Sequence, residues 1–443
     1  MKNHPHLLLV SQHAHGHLNP CIQLALNLIR AGARVTLATT VNGFHKLKSL
    51  PPHHNLSLAS FSDGHDDEVN AAKTPGYVHD LRRVGSETLA DLIHTFSQTG
   101  NKVTLLVFTL FLPWAAVVAR ELHLPSALLL IQTATSFSIY NRFFNSRDGI
   151  FVFNKQHFDP SISLKLPGLP LFTQRDLPTF ALPTSPYFSD MSSVIQQHLE
   201  FLEQNPNTVV LVNTLDGLEP DSMASIPNAM VVGPLVSSSF RGIDRRSSLY
   251  YFQWLDSKPD KSVVFASFGS MAVLSETQKD ELLHGLIESG RPFLLVLRDA
   301  GEDGKLINEK LGEQGLITDW CLQMEVLRHR AVGCFVTHCG WNSTLESMVA
   351  GVGVVGYPQF ADQTTNAKMV EEVWGNGVRA EVDEGMVVRR GEIGRCLEVV
   401  MDGGERAEEI KKRVEKWKRV AEESAQDGGS SFVSLKLFVE SIG

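Results

Sequence analysis

Short apolar runs alternate with longer segments of helical periodicity along most of the chain. The runs from His6 to Ser11 and from Val35 to Thr39 have the length and continuous hydrophobicity of strands that are buried on both faces. Four apolar residues between them recur at the spacing of one helix face: Leu18, Ile22, Ala25 and Ile29. Two buried strands joined by an amphipathic helix predict a parallel βαβ unit at the start of the chain.

The same alternation returns in the second half of the chain. Four further runs have the character of buried strands with helical segments between them: Ser262 to Ser267, Pro292 to Leu297, Gly333 to Thr337 and Val352 to Tyr357. Because 443 residues exceed what one hydrophobic core organises, the pattern predicts an α/β protein with two doubly wound, Rossmann-like parallel-sheet domains. We place the domains at residues 1–236 and 237–429, since the polar, serine-rich segment from Pro234 to Arg246 has the composition of a linker.

Two segments depart from this alternation. The segment from Pro160 to Pro186 is rich in proline, which excludes a regular helix or a central strand and predicts surface loops within the first domain. From Arg389 to Ser424, acidic and basic residues surround apolar positions at helical spacing, which predicts amphipathic helices with one solvated face.

Composition and charge narrow the possible functions. Hydrophobic residues make up 43% and charged residues 20% of the chain, as in ordinary folded enzymes. The formal net charge is −9 and the basic residues form no cluster, so we expect no nucleic-acid partner. The stretch from Val103 to Ala119 is shorter than the ~20 residues of a membrane span and contains Pro113, so we expect no membrane span. Five sparse cysteines and an N-terminus without signal-peptide features predict a cytoplasmic protein.

The segment from Trp320 to Gln363 holds the richest set of polar residues near predicted strand ends, where ligands of parallel sheets bind. One strand ends at His338, and a helix is predicted to begin near Ser343. The turn between them offers backbone N–H groups and a helix dipole that suit a phosphate. Ser343 and Glu346 also fit a capping box, so the alternative is that both residues only start the helix.

This segment resembles the signature sequence of the plant family-1 UDP-glycosyltransferases. The matching parts are WCxQ at its start, HxxVGxFxTHCGWNSxxE in its interior and PxxxDQ at its end, with many fixed spacings. The resemblance implies a GT-B fold, in which two doubly wound domains face a central cleft and the C-terminal domain holds most of the UDP-sugar. The segment Ser267 to Ser270 similarly resembles the SFGS loop of that family, which approaches the phosphates of the nucleotide.

The resemblance implies a donor-binding role for eleven residues. They are Trp320 and Gln323 at the nucleoside, Glu346 at the ribose, Ser270, His338, Asn342 and Ser343 at the diphosphate, Trp341, Asp362 and Gln363 at the sugar, and Cys321 of the WCxQ part without a more specific assignment. A terminal glutamine of this kind is associated with glucose donors. Residue chemistry agrees, because an indole stacks on a base and a carboxylate accepts hydrogen bonds from a vicinal diol. The chain contains no D-x-D pair, so we expect UDP-glucose to act as co-substrate without a metal or other cofactor.

Three histidines, His13, His15 and His17, alternate directly after the first predicted strand. In an extended segment their side chains would share one side, which would suit zinc and suggests a metallohydrolase as one alternative. The other interpretation comes from Gly16 to Pro20, which resembles the GHxxP turn of the same family. That resemblance implies that His17 is the general base that accepts a proton from the hydroxyl of the acceptor.

The segment that follows a later strand departs from the family pattern. Most relatives carry an aspartate there, in a sequence like YDxFLPW, which orients the catalytic histidine and stabilises its protonated form. Here Thr109 occupies the position of the aspartate and carries no charge. The TLFLPWAA version, with Phe61 to Gly64 and Leu166 to Pro170, resembles the subgroup of anthocyanin 5-O-glucosyltransferases. Phenols and carboxylic acids need little base strength, so we expect acceptors of these classes.

Together these observations predict an inverting, UDP-glucose-dependent glucosyltransferase that acts on a small plant metabolite. We expect a monomer whose last segment, residues 430–443, packs back on the first domain, as the resemblance implies. Two alternatives stay open at this point. One is a UDP-sugar-binding protein without catalysis, because the aspartate is missing, and the other is the metallohydrolase.

Overall fold

The computed structural model of the protein describes residues 4–48, 50–67, 76–145, 163–182, 185, 188–236, 245–298 and 307–442. The chain forms two compact units. The first comprises Met1–Leu169, Thr179–Gly242 and Glu423–Gly443, and the second comprises Pro170–Pro178 and Ile243–Glu422. Most of the predicted linker, residues 237–244, lies outside the described residues.

Each unit is built on a parallel sheet. The strands, numbered along the chain, are β1 (His6–Ser11), β2 (Arg34–Thr40), β3 (Leu56–Phe61), β4 (Leu105–Thr109), β5 (Ser126–Leu130), β6 (Ser163–Lys165), β7 (Leu171–Thr173), β8 (Val209–Val212), β9 (Ala229–Val231), β10 (Val263–Ser267), β11 (Phe293–Val296), β12 (Gly315–Thr318), β13 (Val332–Thr337), β14 (Gly353–Gly356) and β15 (Gly377–Arg379). The sheet of the first unit has the order β3-β2-β1-β4-β5-β8-β9, and that of the second has the order β12-β11-β10-β13-β14-β15. The pairing is parallel throughout both sheets.

Helices cover both sheets. They are His15–Arg30, Val41–Leu47, Tyr77–Gln98, Pro113–Glu121, Ala134–Asn145, Phe188–Gln204, Pro220–Ala224 and Ser430–Ile442 in the first unit, and Arg245–Asp256, Glu276–Glu288, Gln323–Leu327, Trp341–Ala350, Gln363–Met369, Arg390–Met401 and most of Glu405–Ala425 in the second. A π-helical turn, Val370–Trp374, follows Gln363–Met369. In the described part of the chain, no helix is long and apolar enough to cross a membrane.

The alternating pattern of the sequence is confirmed as two doubly wound sheets. Leu7 to Val10 in β1 have no solvent exposure, because helices cover both faces of the strand and leave no polar face. In the second unit, Phe265 of β10 and Phe335 of β13 stack in the core with ring centroids 5.0 Å apart. The predicted amphipathic helices near the C-terminus are also confirmed, since Leu397 and Trp417 are buried among exposed charged neighbours.

The proline-rich segment differs in part from its prediction. Its described residues contain only short strands and two 3-10 turns, Gln174–Asp176 and Thr179–Ala181, as proline requires. However, Pro170–Pro178 belongs to the second unit and not to the first. The carboxylate of Asp176 is 6% exposed and lies 2.5 Å from a guanidinium nitrogen of Arg379, and this buried ion pair fixes the segment there.

The last helix, Ser430–Ile442, packs in the first unit against β9 and the helix His15–Arg30. Its apolar face buries Leu435 and Phe438. Arg30 joins this contact, with its guanidinium carbon 5.3 Å from the centroid of the Phe432 ring and its Nη2 atom 2.5 Å from Asp427.

Candidate active site

Two loops meet at the carboxyl edge of the second unit's sheet, because β10 and β13 are neighbouring parallel strands. Gly269, in the loop after β10, has a φ of 71°, and a Cβ atom there would lie 2.7 Å from Nε2 of His338. A Cβ atom on Gly340, after β13, would lie 2.5 Å from the same nitrogen. The imidazole of His338 therefore fits between the two loops because both glycines lack a side chain.

Arg298 holds the loop after β10 and also acts on His338. Its guanidinium donates hydrogen bonds to the backbone oxygens of Ser270 and Ala272. Burial lowers the pKa of His338 to about 4, with a smaller contribution from the charge of Arg298, so the imidazole is neutral at pH 7. Sequence analysis missed Arg298. Its position directly beyond the end of β11, at the same edge of the sheet, is the signal that could have found it.

The turn after β13 leads directly into a helix N-terminus. Cys339 adopts a left-handed conformation with a φ of 59°, and Gly340 becomes the N-cap of the helix Trp341–Ala350. The helix therefore begins at Trp341, before the predicted start near Ser343. The capping-box alternative is wrong, because Ser343 lies inside the first turn and no side chain caps the helix. The start of this helix carries the positive end of its dipole, which suits an anion.

Gln323 joins two other predicted donor-binding residues, Ser343 and Glu346. Its Nε2 donates one hydrogen bond to Oγ of Ser343 at 2.9 Å and another to Oε2 of Glu346 at 2.6 Å. Burial raises the pKa of the Glu346 carboxyl to about 7, although the hydrogen bond from Gln323 opposes this shift. The bridge fixes a carboxylate next to the N-terminus of the helix.

Trp320 and Cys321 precede Gln323 and have opposite environments. The indole of Trp320 is 46% exposed, which is unusual for a tryptophan and leaves a flat face for stacking. The thiol of Cys321 is buried, and burial raises its pKa above the ordinary range, so it stays protonated. The structure therefore offers Trp320 to a ligand, whereas Cys321 packs in the interior.

Trp341 and Asn342 lie in the first turn of the same helix. The indole of Trp341 is only 3% exposed and packs against Trp374, with ring centroids 5.6 Å apart. Its ring is therefore part of the core and presents almost no surface to a ligand. Asn342 is half-buried beside it.

Asp362 and Gln363 are tied to this turn through Asn366. The side-chain amide of Asn366 donates to Oδ2 of Asp362 and to the backbone oxygen of Cys339, both at 2.9 Å. Oε1 of Gln363 accepts the N–H of Gln359 at 2.9 Å and that of Phe360 at 3.1 Å. No described residue accepts a hydrogen bond from Nε2 of Gln363, so this amide can donate to a ligand. Sequence analysis missed Asn366, although it lies one helical turn after Asp362.

His17 lies at the carboxyl edge of the first unit's sheet, after β1. The helix His15–Arg30 begins before it, so the prediction of an extended segment with three aligned histidines is wrong. His15 is exposed and His17 is only 8% exposed, because helical geometry points them in different directions. Within the described ranges, no group of three or more His, Cys, Asp or Glu residues could hold a metal ion.

Burial sets the protonation of His17. It lowers the pKa of this imidazole to about 4, with a smaller contribution from His13. Thr109, at the end of β4, is 1% exposed. Among the described residues, neither Nδ1 of His17 nor Oγ1 of Thr109 has a hydrogen-bond partner. Thr109 therefore does not orient the His17 ring in the way that an aspartate would.

Asp63 supplies a fully buried carboxylate after β3. Its oxygens accept the hydroxyl of Tyr77 at 3.1 Å and the backbone N–H of His65 at 3.0 Å. Together with burial, the nearby charge of Asp63 raises the pKa of the Tyr77 hydroxyl above its ordinary range, so tyrosine remains a hydrogen-bond donor. This part of the motif Phe61 to Gly64 thus holds the loop in place.

Sequence comparison identifies relatives along the whole chain. A profile of the family described as UDP-glucoronosyl and UDP-glucosyl transferase matches residues 209–412. UDP-glycosyltransferase 75C1 of Solanum lycopersicum is 45% identical, over 98% of this chain and 98% of its own length. The chloroplastic crocetin glucosyltransferase of Gardenia jasminoides is 44% identical (99% and 97%). The anthocyanidin 3-O-glucoside 5-O-glucosyltransferase of Verbena hybrida is 38% identical (99% and 98%).

Solved structures give the same result. Os79 from O. sativa in complex with UDP is similar with a TM-score of 0.84 and 32% identity, over 99% of this chain and 100% of that structure. UGT71G1 of Medicago truncatula in complex with UDP-glucose is similar with a TM-score of 0.82 and 28% identity, over 99% and 98%. The chain belongs to the plant UDP-glycosyltransferases, has the GT-B fold and is a glycosyltransferase. This membership argues against both alternatives that the sequence left open, the UDP-sugar-binding protein without catalysis and the metallohydrolase.

Proposed function

We propose that this protein transfers glucose, with inversion, from UDP-glucose to a phenolic hydroxyl or a carboxylate of a small plant metabolite. The observation that carries the proposal is the Gln323 bridge to Ser343 and Glu346, beside the exposed indole of Trp320. The names of the Gardenia and Verbena relatives and the UDP-glucose complex of the Medicago relative support glucose as the sugar.

The second unit would hold the donor from base to sugar. Uracil stacks on Trp320, and the ribose hydroxyls donate to the carboxylate of Glu346. The diphosphate lies at the start of the helix Trp341–Ala350, where the backbone N–H groups and the helix dipole stabilise the charge of departing UDP. The free amide of Gln363 donates to a hydroxyl of the glucose, and Asp362 accepts from another.

His17 would act as the general base. Its neutral Nε2 takes the proton of the acceptor hydroxyl while the acceptor oxygen forms a bond to the anomeric carbon of glucose. The bond between that carbon and the UDP oxygen breaks, and both electrons leave with UDP. Attack from the face opposite UDP gives a β-glucoside or, with a carboxylate, a glucose ester.

The environment of His17 supports acceptors of low pKa. An imidazole whose pKa is lowered to about 4 is a weak base, and no described residue hydrogen-bonds its Nδ1 to stabilise the protonated form. A phenol near pKa 10 is much easier to deprotonate than an aliphatic alcohol, and a carboxylic acid is already ionised at pH 7. A preference for aliphatic alcohols over both classes would contradict the proposal.

The direct test is a screen of the purified protein. Phenols, aromatic acids and aliphatic alcohols of similar size are each incubated with UDP-glucose, UDP-galactose or UDP-xylose, and products are identified by mass and by anomeric configuration. We expect β-linked glucose on phenols or carboxylates. An α-linked product, or transfer confined to another sugar, would overturn the proposed reaction.

Three further features belong to this proposal. The enzyme works without a metal, so turnover persists in EDTA, whereas loss of turnover and its rescue by a divalent cation would contradict this. The enzyme is a monomer, which light scattering tests.

The enzyme resides in the cytosol, because five buried free cysteines suit a reducing compartment, although the Gardenia relative is named as chloroplastic. A fluorescent fusion in plant cells distinguishes the two compartments.

A further inference from the structure

The loop after β4 contains a bulky residue in an unfavourable backbone conformation. Phe111 has a φ of 77°, a region that aromatic side chains rarely adopt. Its backbone N–H donates a hydrogen bond to Nε2 of His198 at a distance of 3.2 Å. This bond joins the loop to the helix Phe188–Gln204, which carries His198.

His198 is a fixed hydrogen-bond acceptor. Its side chain has no solvent exposure, and its ring stacks on Phe108 with centroids 5.8 Å apart and planes within 1° of parallel. Because Nε2 accepts the N–H of Phe111, the proton of the neutral ring must be on Nδ1. Burial lowers the pKa of His198 to about 3, so the ring accepts this bond throughout the neutral pH range.

The conformation of Phe111 places its ring on the imidazole of His17. The centroids of these two rings are 5.1 Å apart, and the ring of Phe180 packs against that of Phe111, with centroids 6.3 Å apart. The loop after β4 therefore presents an uncharged ring to His17. The titratable group that acts on His17 is His13 of its own segment. Lys46, Asp63 and His15 act in turn on His13, and Lys46 also acts on His15.

We infer that His198 is a positioning residue, which holds Phe111 in its left-handed conformation and thereby keeps the Phe111 ring as a cover over His17. This inference rests on the proposed role of His17 as general base. Without the acceptor at His198, Phe111 relaxes to a common conformation and its ring leaves the imidazole. Water then reaches His17, and the pKa of His17 rises from about 4 toward its ordinary value near 6.5.

The test is the pH dependence of the variant His198→Leu. We measure kcat/KM for one phenol at saturating UDP-glucose from pH 5.5 to 7.5 and divide each value by that of the wild-type enzyme. Because both enzymes use the same substrates, the effect of substrate ionisation on kcat/KM cancels in this ratio. We expect the ratio to fall between about threefold and tenfold from pH 7.5 to 5.5, because His17 becomes protonated in the variant only.

Two control variants separate positioning from stability. His198→Gln retains an acceptor for the N–H of Phe111, so its ratio stays constant across the pH range. Phe201→Leu alters a buried residue of the same helix whose ring also packs on Phe108, at 5.7 Å, but which does not bond Phe111. Its ratio is also constant. A constant ratio for His198→Leu, or an equal fall for Phe201→Leu, would overturn the inference.

A further variant, Phe111→Gly, provides a test that does not depend on the folding of His198→Leu. Phe111→Gly fits the left-handed conformation and removes the ring, so it should show the same fall in the ratio. The proposed function has a separate test, because it fails if the wild-type enzyme transfers no glucose or if His17→Ala remains active. If the wild-type enzyme is active and the ratio is constant for both His198→Leu and Phe111→Gly, the positioning role of His198 is refuted, whereas the proposed function is not affected.

Discussion

At the scale of single residues, burial sets the protonation of the groups at both candidate sites. His17 and His338 are neutral at pH 7 because they are desolvated, while Glu346 titrates near neutrality for the same reason. His17 and His338 lie at the carboxyl edge of a parallel sheet, and Glu346 lies in the helix that begins at that edge, where perturbed pKa values are expected of functional residues.

His17→Ala removes the proposed base. We expect kcat/KM for a phenol to fall by about 10²–10⁴, since a positioned base contributes that factor. The dissociation constant of UDP should stay within about twofold of the wild-type value by calorimetry, since His17 belongs to the first unit. The control is His15→Ala, an exposed histidine of the same helical turn, which should retain activity. Unchanged turnover of His17→Ala would remove this residue from its proposed role.

The raised pKa of Glu346 predicts pH-dependent binding of uridine. Below pH 7 the carboxyl is largely protonated and accepts hydrogen bonds from the ribose poorly, so affinity should increase from pH 6 to pH 8. Uridine has no phosphate, so its own ionisation does not confuse this range. Competition with UDP-glucose measures the affinity, and Glu346→Gln should abolish the dependence. Equal slopes in the two proteins would assign the effect to another group.

At the scale of elements, the start of the helix Trp341–Ala350 depends on the absence of a side chain at its N-cap. We expect Gly340→Ala to displace His338, whose Nε2 would lie 2.5 Å from the new Cβ atom. The KM for UDP-glucose should increase tenfold or more, and the free energy of unfolding should fall by about 1–3 kcal/mol.

A matched glycine provides the control for this prediction. Gly394 lies within the helix Arg390–Met401, and a Cβ atom there would have no heavy atom within 4 Å. Gly394→Ala should raise the free energy of unfolding by about 0.5–1 kcal/mol and leave KM unchanged. If both variants lowered donor affinity equally, the close approach at Gly340 would not explain the effect.

The elements also show how far the sequence predicts this fold. Continuous apolar runs such as β1 and β10 identify buried parallel strands, because their signal is local. Gln323 and Ser343 of the signature segment come together as expected, although the strands before them, β12 and β13, are separated in the sheet by β11 and β10. Local patterns did not predict the left-handed Phe111, the bond from Gln323 to Glu346 or the role of Arg298. Each of these depends on residues distant in the chain.

At the scale of the whole molecule, the last helix completes the first unit. Phe438 is 2% exposed and its neighbour Leu437 is 57% exposed. Phe438→Ala should cost about 3–5 kcal/mol of the free energy of unfolding, whereas Leu437→Ala should change it by less than about 0.5 kcal/mol. Hydrogen exchange of peptides from β9 and from His15–Arg30 measures the loss where the helix packs. Equal protection in both variants would show that this contact is not stabilising.

The ion pair between Asp176 and Arg379 has a practical consequence for chimeric enzymes. Because Pro170–Pro178 belongs to the second unit, a gene fragment that begins at residue 243 encodes that unit without this segment. Such a fragment leaves Arg379 without its partner and removes the groups that Thr364 and Thr365 bond, the backbone oxygens of Leu177 and Asp176. Recombination between related glycosyltransferases should therefore exchange this short segment together with the C-terminal half.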